Sequence, residues 1–300
     1  MPEPRVDLDF AAYVKRQKEH GPAPATATEA RPIPYAFVDD VRVTRALGRV
    51  KPVELAAAAT VRMWKSLKKN ELLGMCIRVS ERQFPRFYRL GKQASDVLGI
   101  AMPQIYVAPS LASLNAHTFG TNDDAFIVVN SAMADYMTDE EILFVIGHEC
   151  GHIQNNHVVY GTALHYLRTA AMLLLQWVAA PAVVALNSWS RYAEITCDRA
   201  GLLVVKDSKI ATRVFLKLAV GSRSLFEEID VDEYLDQLGD AREGAGRFAE
   251  LLATHPYVPK RIAALRVFEK TEMFQKAVGR SGGLTMDECD REVDELIRIR

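Results

Sequence analysis

Apolar and polar positions along this chain recur with periods that predict mostly helices and one small group of strands. A helical period runs from Pro52 to about Leu73, with Gly74 as a stop, and a second runs from Pro85 to Leu98, stopped by Gly99. Between them Met75–Val79 alternates as a short strand. Gln104–Ala108, Leu114–Phe119 and Ala125–Asn130 read as strands, the last two joined through the turn residues Gly120-Thr121-Asn122-Asp123-Asp124. Thr138-Asp139-Glu140-Glu141 then opens a helix, with Thr138 as N-cap and Glu141 closing a capping box. An unbroken apolar run follows to Gly147, so this helix is buried where it continues into residues 148–152. A further helix is expected from about Ser190 to Val205, and the remainder is helical and charged. The fold class is α+β, mainly helical, with a small sheet beside the helix that starts at Thr138.

The ends differ in character from the middle. Residues 1–34 are expected to be an extension, with a short helix over Asp9–His20 and a Pro/Ala linker over Gly21–Thr28. Residues 35–270 form the main domain, and 271–300 a charged tail whose Asp287-Glu288 and Arg291-Glu292 clusters read as solvated surface. Within the domain, Thr169–Leu186 is an apolar insert without a charge, bounded by Arg168 and Arg191. Its length approaches the roughly 20 residues of a membrane span. Gln176, Pro181 and the many alanines suit a buried helix or kinked hairpin instead, and both readings stay open.

With 49% hydrophobic residues among 300, the chain can bury a substantial core. A formal net charge of −1 leaves no basic footprint for nucleic acid. The four cysteines are scattered without a CxxC pair, which suits a reducing compartment. Met1-Pro2-Glu3-Pro4-Arg5-Val6-Asp7 lacks the basic patch and apolar run of a secretory signal. The expected location is the cytoplasm, with membrane association through 169–186 as the open alternative.

The chemistry concentrates in His148-Glu149-Cys150-Gly151-His152. Residues i and i+4 of a helix share a face, so His148 and His152 can offer two imidazole nitrogens to one zinc ion. Glu149 projects beside them as a general base for a zinc-activated water. A third ligand is needed. A metzincin-type extension requires Gly at 155 and His at 158, where this chain has Asn155 and Val158. His157 stands one residue out of place and reads as a partly exposed polar residue near the helix end. The better candidate is Glu194, with Asp198 four residues on and able to fix a histidine ring through its N–H. Ala193, Cys197, Ala200 and Gly201 would let this helix approach closely, with matching room at Gly151. The plainer alternative is a solvated acid-base pattern on a surface helix. Cys150 and Cys197 read as inert buried residues, with a redox-sensitive pair as the lesser reading.

The HExGH core, E-x-x-x-D-R-x-G from Glu194, His255-Pro256 with Arg261-Ile262, Asn115-Ala116, and Ser131-Ala132-Met133 together resemble one family over roughly residues 55–270. It is the metallopeptidase family of the CAAX prenyl endopeptidase and the HtpX-like proteases. The resemblance implies a zincin-like gluzincin with one Zn²⁺ per chain on His148, His152 and Glu194, and Glu149 as base. By the same resemblance, His255 is a candidate for stabilising the oxyanion, although His255-Pro256 also reads as a turn that starts a helix. Arg261 is expected to pair with an acid at the edge of the site. The strand Ala125–Asn130, or the segment at Asn115-Ala116, is expected to offer an edge to extended or unfolded polypeptide. Relatives often carry membrane segments between HExxH and the glutamate, whereas this chain has room for one span or a short hairpin. The leading function is a zinc-dependent endopeptidase in protein quality control or processing. A catalytically silent zincin-fold scaffold, or a hydrolase of non-protein amides, is the alternative. On this reading Glu194→Ala strips zinc from the protein and His157→Ala does not, which metal analysis of the two purified variants checks.

Overall fold

The computed structural model describes residues 32–49, 51–63, 69–110, 113–170, 176–241 and 253–298. The expected helix at Asp9–His20 and the Pro/Ala linker lie outside the described residues. Three helices lead in: α1 Val38–Leu47, α2 Lys51–Met63 and α3 Lys69–Met75. The helix expected over 52–73 thus falls on α2 and α3, with 64–68 outside the described residues. Strand β1 is only Ile77–Arg78, followed by α4 Pro85–Leu98. Helix α4 ends where its sequence says it must. Gly99 takes φ +68, the left-handed region open to glycine, and its N–H bonds back to Asp96 and Ser95 carbonyls.

Strands β2 (Gln104–Ala108), β3 (Ala116–Thr121) and β4 (Asp124–Asn130) complete a four-stranded sheet in the order β1-β2-β4-β3. β2 runs parallel to β4, and the β1/β2 and β3/β4 pairs are antiparallel. Of the two segments expected to offer an edge, Ala125–Asn130 lies inside the sheet, between β2 and β3. The edge belongs to the strand that starts at Ala116. A central strand has both its hydrogen-bonding sides occupied, so of these two segments only the one in β3 lies at an edge, β1 forming the other edge of the sheet. One sheet face sends Ile105, Val107, Ile127 and Val129 into the main core. The other gathers Tyr106, Phe126 and Val128 with Leu73, Cys76 and Phe119.

Helix α5 (Ala132–Tyr136) leads into α6, Asp139–Gln154, the spine of the fold. Its capping box forms as expected: Glu141 N–H donates to Thr138 Oγ1 at 3.3 Å, and Thr138 N–H donates to Glu141 Oε2 at 2.8 Å. Glu141 is nonetheless buried, because Lys217 Nζ at 2.8 Å and Arg213 Nε at 3.1 Å compensate its charge. Every residue from Glu141 to Gly151 is buried, as expected for a helix surrounded by other elements.

Helices α7 (Val158–Ala170) and α8 (Gln176–Val205) follow. The helix expected from Ser190 is the C-terminal part of the 30-residue α8, which takes in the second half of the apolar insert. Leu186 and Trp189 on α8 are buried with Leu47, Val53 and Leu164 in a second core. Residues 171–175 are outside the described residues, and among those described no helix is long and apolar enough to cross a membrane. α8 lies against α6 at almost no distance. A Cβ on Gly151 would stand 2.9 Å from Ala200 Cβ, and one on Gly201 would stand 2.8 Å from the Phe144 carbonyl oxygen.

The remaining helices are α9 (Ser208–Val220), α10 (Arg223–Phe226), α11 (Val231–Ala241), α12 (Val258–Phe268), α13 (Glu272–Ala277) and α14 (Met286–Ile297). α14 exposes Asp287, Arg291 and Glu292, as its charge clusters suggest, but buries Cys289, Val293 and Ile297 in the main core. Arg199 of α8 pairs with Asp290 of α14 at 2.8 Å, and Asp290 also accepts the N–H of Val38 at 3.0 Å. Both flanks of the chain therefore close on α8.

The contact between α6 and α8 makes a stability prediction. Gly201→Ala pushes a methyl against a backbone oxygen, so overpacking of about 1–3 kcal/mol outweighs a helix-propensity gain of about 1 kcal/mol. Gly161→Ala in α7 meets nothing within 4 Å. Urea unfolding is expected to show the first variant destabilised and the second unchanged or slightly stabilised.

Candidate metal centre

The close approach of α6 and α8 brings the predicted ligands together. His148 Nε2 lies 3.6 Å from Glu194 Oε2, and His152 Nε2 lies 3.5 Å from Glu194 Oε1. Two donors at zinc–ligand distances around a tetrahedral ion stand about 3.3–3.4 Å apart. The three side chains therefore fit a divalent metal with little adjustment. Glu194 is buried, and burial alone would keep its carboxyl protonated. The neighbouring His255, Arg261 and His148 override that and hold it well below the usual carboxylate range.

Cys197 is a competing donor, since its sulfur and one nitrogen from each of His148 and His152 all lie within 4.8 Å of one another. Without a metal, burial, with Glu194, Asp40 and Glu149 nearby, pushes its thiol well above the ordinary range. Glu194, by contrast, carries its charge without a metal and faces the Nε2 atoms of both histidines. Cys150 is also buried, and burial with the Glu149 charge pushes its thiol up to about 12. Both sulfurs are therefore held as thiols, which favours the inert reading.

The ring of His148 is held from behind as its spacing suggested. Its Nδ1 lies 2.9 Å from Asp198 Oδ1, which leaves Nε2 facing Glu194. Arg261 grips Asp198 with Nε at 2.8 Å and Nη2 at 2.5 Å, and the same Nη2 reaches Glu194 Oε2 at 3.1 Å. The expected pairing of Arg261 with an acid is present, but beneath the site rather than at its edge. Its guanidinium sits over the Phe215 ring, 4.6 Å from the centroid, and serves two buried carboxylates at once.

Glu149 has a partner that sequence reasoning missed. Thr118 Oγ1 on the edge strand β3 donates to Glu149 Oε2 at 2.6 Å. No spacing rule links positions 118 and 149; the contact exists only because the sheet edge lies across α6. His255 is also brought in: its side chain is 58% exposed and its Nδ1 is 2.8 Å from Glu194 Oε2. Val258, the first residue of α12, comes three positions later, so His255-Pro256 also leads into a helix, as its second reading had it.

His157 departs from expectation. Rather than partly exposed, it is 2% exposed, with Nε2 3.1 Å from Asp40 Oδ2 and Nδ1 3.3 Å from His152 Nδ1. Its Nε2 is thus engaged with Asp40, and its other nitrogen backs the second ligand histidine. The expectation that its replacement leaves metal binding untouched is withdrawn on that geometry.

These groups open onto a cleft of about 580 Å³. Asn115–Phe119 of the sheet edge forms one wall. Val145, Phe215, Leu218 and His255 are also part of the lining.

The chain has relatives among known proteins. Residues 81–269 match Peptidase family M48. The chain is 33% identical over 188 residues to the plastoglobule-localized metallopeptidase 48, chloroplastic, of Arabidopsis thaliana, covering 61% of this chain and 54% of that protein. It is 26% identical over 221 residues to a protease HtpX homolog of Syntrophobacter fumaroxidans, covering 63% and 78%. With protease HtpX of Vibrio parahaemolyticus it shares 27% over 248 residues, covering 70% and 82%. The chain thus spans about half the length of the Arabidopsis relative and about four-fifths of the Vibrio one. No solved structure gives a significant match. The matched segment holds the HECGH helix, Glu194, Asp198 and Arg261, and the chain belongs to Peptidase family M48, with a metallopeptidase domain of the HtpX-like kind.

Proposed function

We propose that this protein is a zinc-dependent endopeptidase acting on extended or unfolded polypeptide, in protein quality control or processing. The observation that carries the reading is the spacing of His148, His152 and Glu194 beside Glu149, at the mouth of a cleft bordered by a free strand edge. Two imidazoles and a carboxylate are a donor set that suits zinc while leaving a coordination position for the reaction. Zinc bound there would supply Lewis acidity, lowering the pKa of a water and polarising the scissile carbonyl.

The protein's own groups do the rest. β3 pairs with the substrate backbone as an added strand, which selects for extended chain more than for particular side chains. Glu149 takes the proton of the attacking water and returns it to the leaving amine. Thr118 holds the Glu149 carboxylate by one oxygen, so the other is free to face the cleft. His255, exposed and at the cleft lining, is available to hydrogen-bond the developing oxyanion once its nitrogen is released from Glu194. Asp198 and Arg261 keep His148 and Glu194 oriented throughout.

Cleavage of reduced casein tests the activity. Wild type is expected to cut it, chelator is expected to stop the reaction, and Glu149→Gln is expected to slow it by about 10²–10⁴-fold. Cleavage that survives both chelator and Glu149→Gln would sink the mechanism. Glu194→Ala is expected to lose stoichiometric zinc by metal analysis; a full equivalent of zinc in that variant would remove Glu194 from the ligand set.

A further inference from the structure

We propose that Asp40, acting through His157, is a positioning residue for the metal ligand His152, in a buried carboxylate–histidine–histidine relay. The inference rests on the reading of His152 as a ligand. It adds a device supplied by a helix that lies upstream of the segment matched to the family.

The relay is assembled from three separate places in the chain. His152 is on α6. Asn156, with φ +59, turns the chain back just after that helix, and the His157 N–H bonds the His152 carbonyl at 2.9 Å. That fold-back sets the two rings together, 5.4 Å between centroids, with Nδ1 facing Nδ1 at 3.3 Å. Asp40 comes from α1 and meets the far nitrogen of His157 at 3.1 Å. Trp189 of α8 closes the pocket edge-on to the His157 ring, 5.5 Å between centroids.

The hydrogen bonds can run in only one direction. If His152 gives Nε2 to the metal, its hydrogen must sit on Nδ1 and point at His157 Nδ1. His157 must then accept there and carry its own hydrogen on Nε2, which donates to Asp40 Oδ2. Both links are satisfied with His157 neutral, and the Cys197 sulfur lies 3.6 Å from the accepting nitrogen. The remaining contacts on Asp40 come from neutral donors. Thr196 Oγ1 donates to Oδ2 at 2.6 Å and Thr44 Oγ1 to Oδ1 at 3.1 Å. Thr44 in turn accepts from Trp189 Nε1 at 2.8 Å.

This differs from the support of the other ligand histidine. Asp198, behind His148, shares its charge with the Arg261 guanidinium. Among the described residues, no arginine or lysine pairs with Asp40, whose hydrogen-bond partners are His157 and the hydroxyls of Thr196 and Thr44. A carboxylate that orients a ligand imidazole strengthens it as a donor and fixes its ring, and losing such support typically costs 10–100-fold in metal affinity. The two ligand histidines are therefore held by different means, and α1 is part of the metal site although it touches no ligand directly.

The test measures zinc affinity of the full chain by chelator competition, together with the absorption spectrum of the cobalt-substituted protein. Asp40→Asn and His157→Leu are expected to weaken zinc binding about 10–100-fold and to shift the cobalt bands. His157→Gln, which can accept from His152 and donate to Asp40, is expected to recover most of the loss. Circular dichroism of the metal-free variants establishes that they fold. Folded Asp40→Asn with affinity within twofold of wild type would overturn the relay, provided His152→Ala has lost zinc. Should Asp40→Asn not fold, equal affinities for His157→Gln and His157→Leu would overturn it instead. Zinc bound with unchanged affinity by His152→Ala would overturn the relay and the ligand reading together.

Discussion

Two helices can share one metal site only if their axes come close enough for short side chains to meet, and here that distance is set by glycine. At Gly147, Gly151 and Gly201 a single added methyl would strike Val204, Ala200 or the backbone of Phe144. With those methyls missing, α6 and α8 pack almost backbone to backbone, and His148 and His152 reach Glu194 across the seam. The same approach sets Asp198 behind His148 and Cys197 behind Gly151. A looser pair of helices would move the donors apart by more than a metal ion can bridge.

Such closeness has an electrostatic consequence. Glu194, Asp198 and Asp40 are buried carboxylates within one small volume. Each is costly unless paired or hydrogen-bonded. The fold answers with one cation for two of them and neutral donors for the third. Arg261 spans Glu194 and Asp198, while Asp40 is satisfied by His157, Thr196 and Thr44. Arg261 comes from α12 and Asp40 from α1, so the charge balance of the site depends on elements far apart in sequence. Arg199, next to Asp198 on α8, does similar work, tying Asp290 of α14 and the Tyr35 carbonyl to the same helix. The flanking helices are thus bound into the architecture through buried charge as much as through apolar packing.

Much of this was legible in the sequence because it depends on local spacing. The i, i+4 histidines, the capping box at Thr138, the Gly99 stop and the hairpin turn, which falls at Asn122-Asp123 within the expected connection, obey rules that reach no further than one helical turn or one hairpin. Glu194 and Asp198 could be paired with HExxH by their own spacing and the small residues beside them. His157 was misread for the opposite reason. A histidine after a helix end is commonly exposed, and only the docking of α1, more than a hundred positions upstream, buries it against Asp40. Thr118 escaped notice likewise, as its role depends on where the sheet edge lies.

The sequence by itself singled out the candidate ligands and base and marked helix ends such as Thr138 and Gly99, since periodicity and side-chain chemistry are properties of neighbouring residues. Tertiary structure decided which strand is the free edge, how far α8 extends back through the apolar stretch, and which carboxylate stands behind each histidine. Those outcomes follow from contacts between segments whose separation along the chain says nothing about their separation in space. They are fixed by packing, where glycine sets the distance and each buried charge needs a partner.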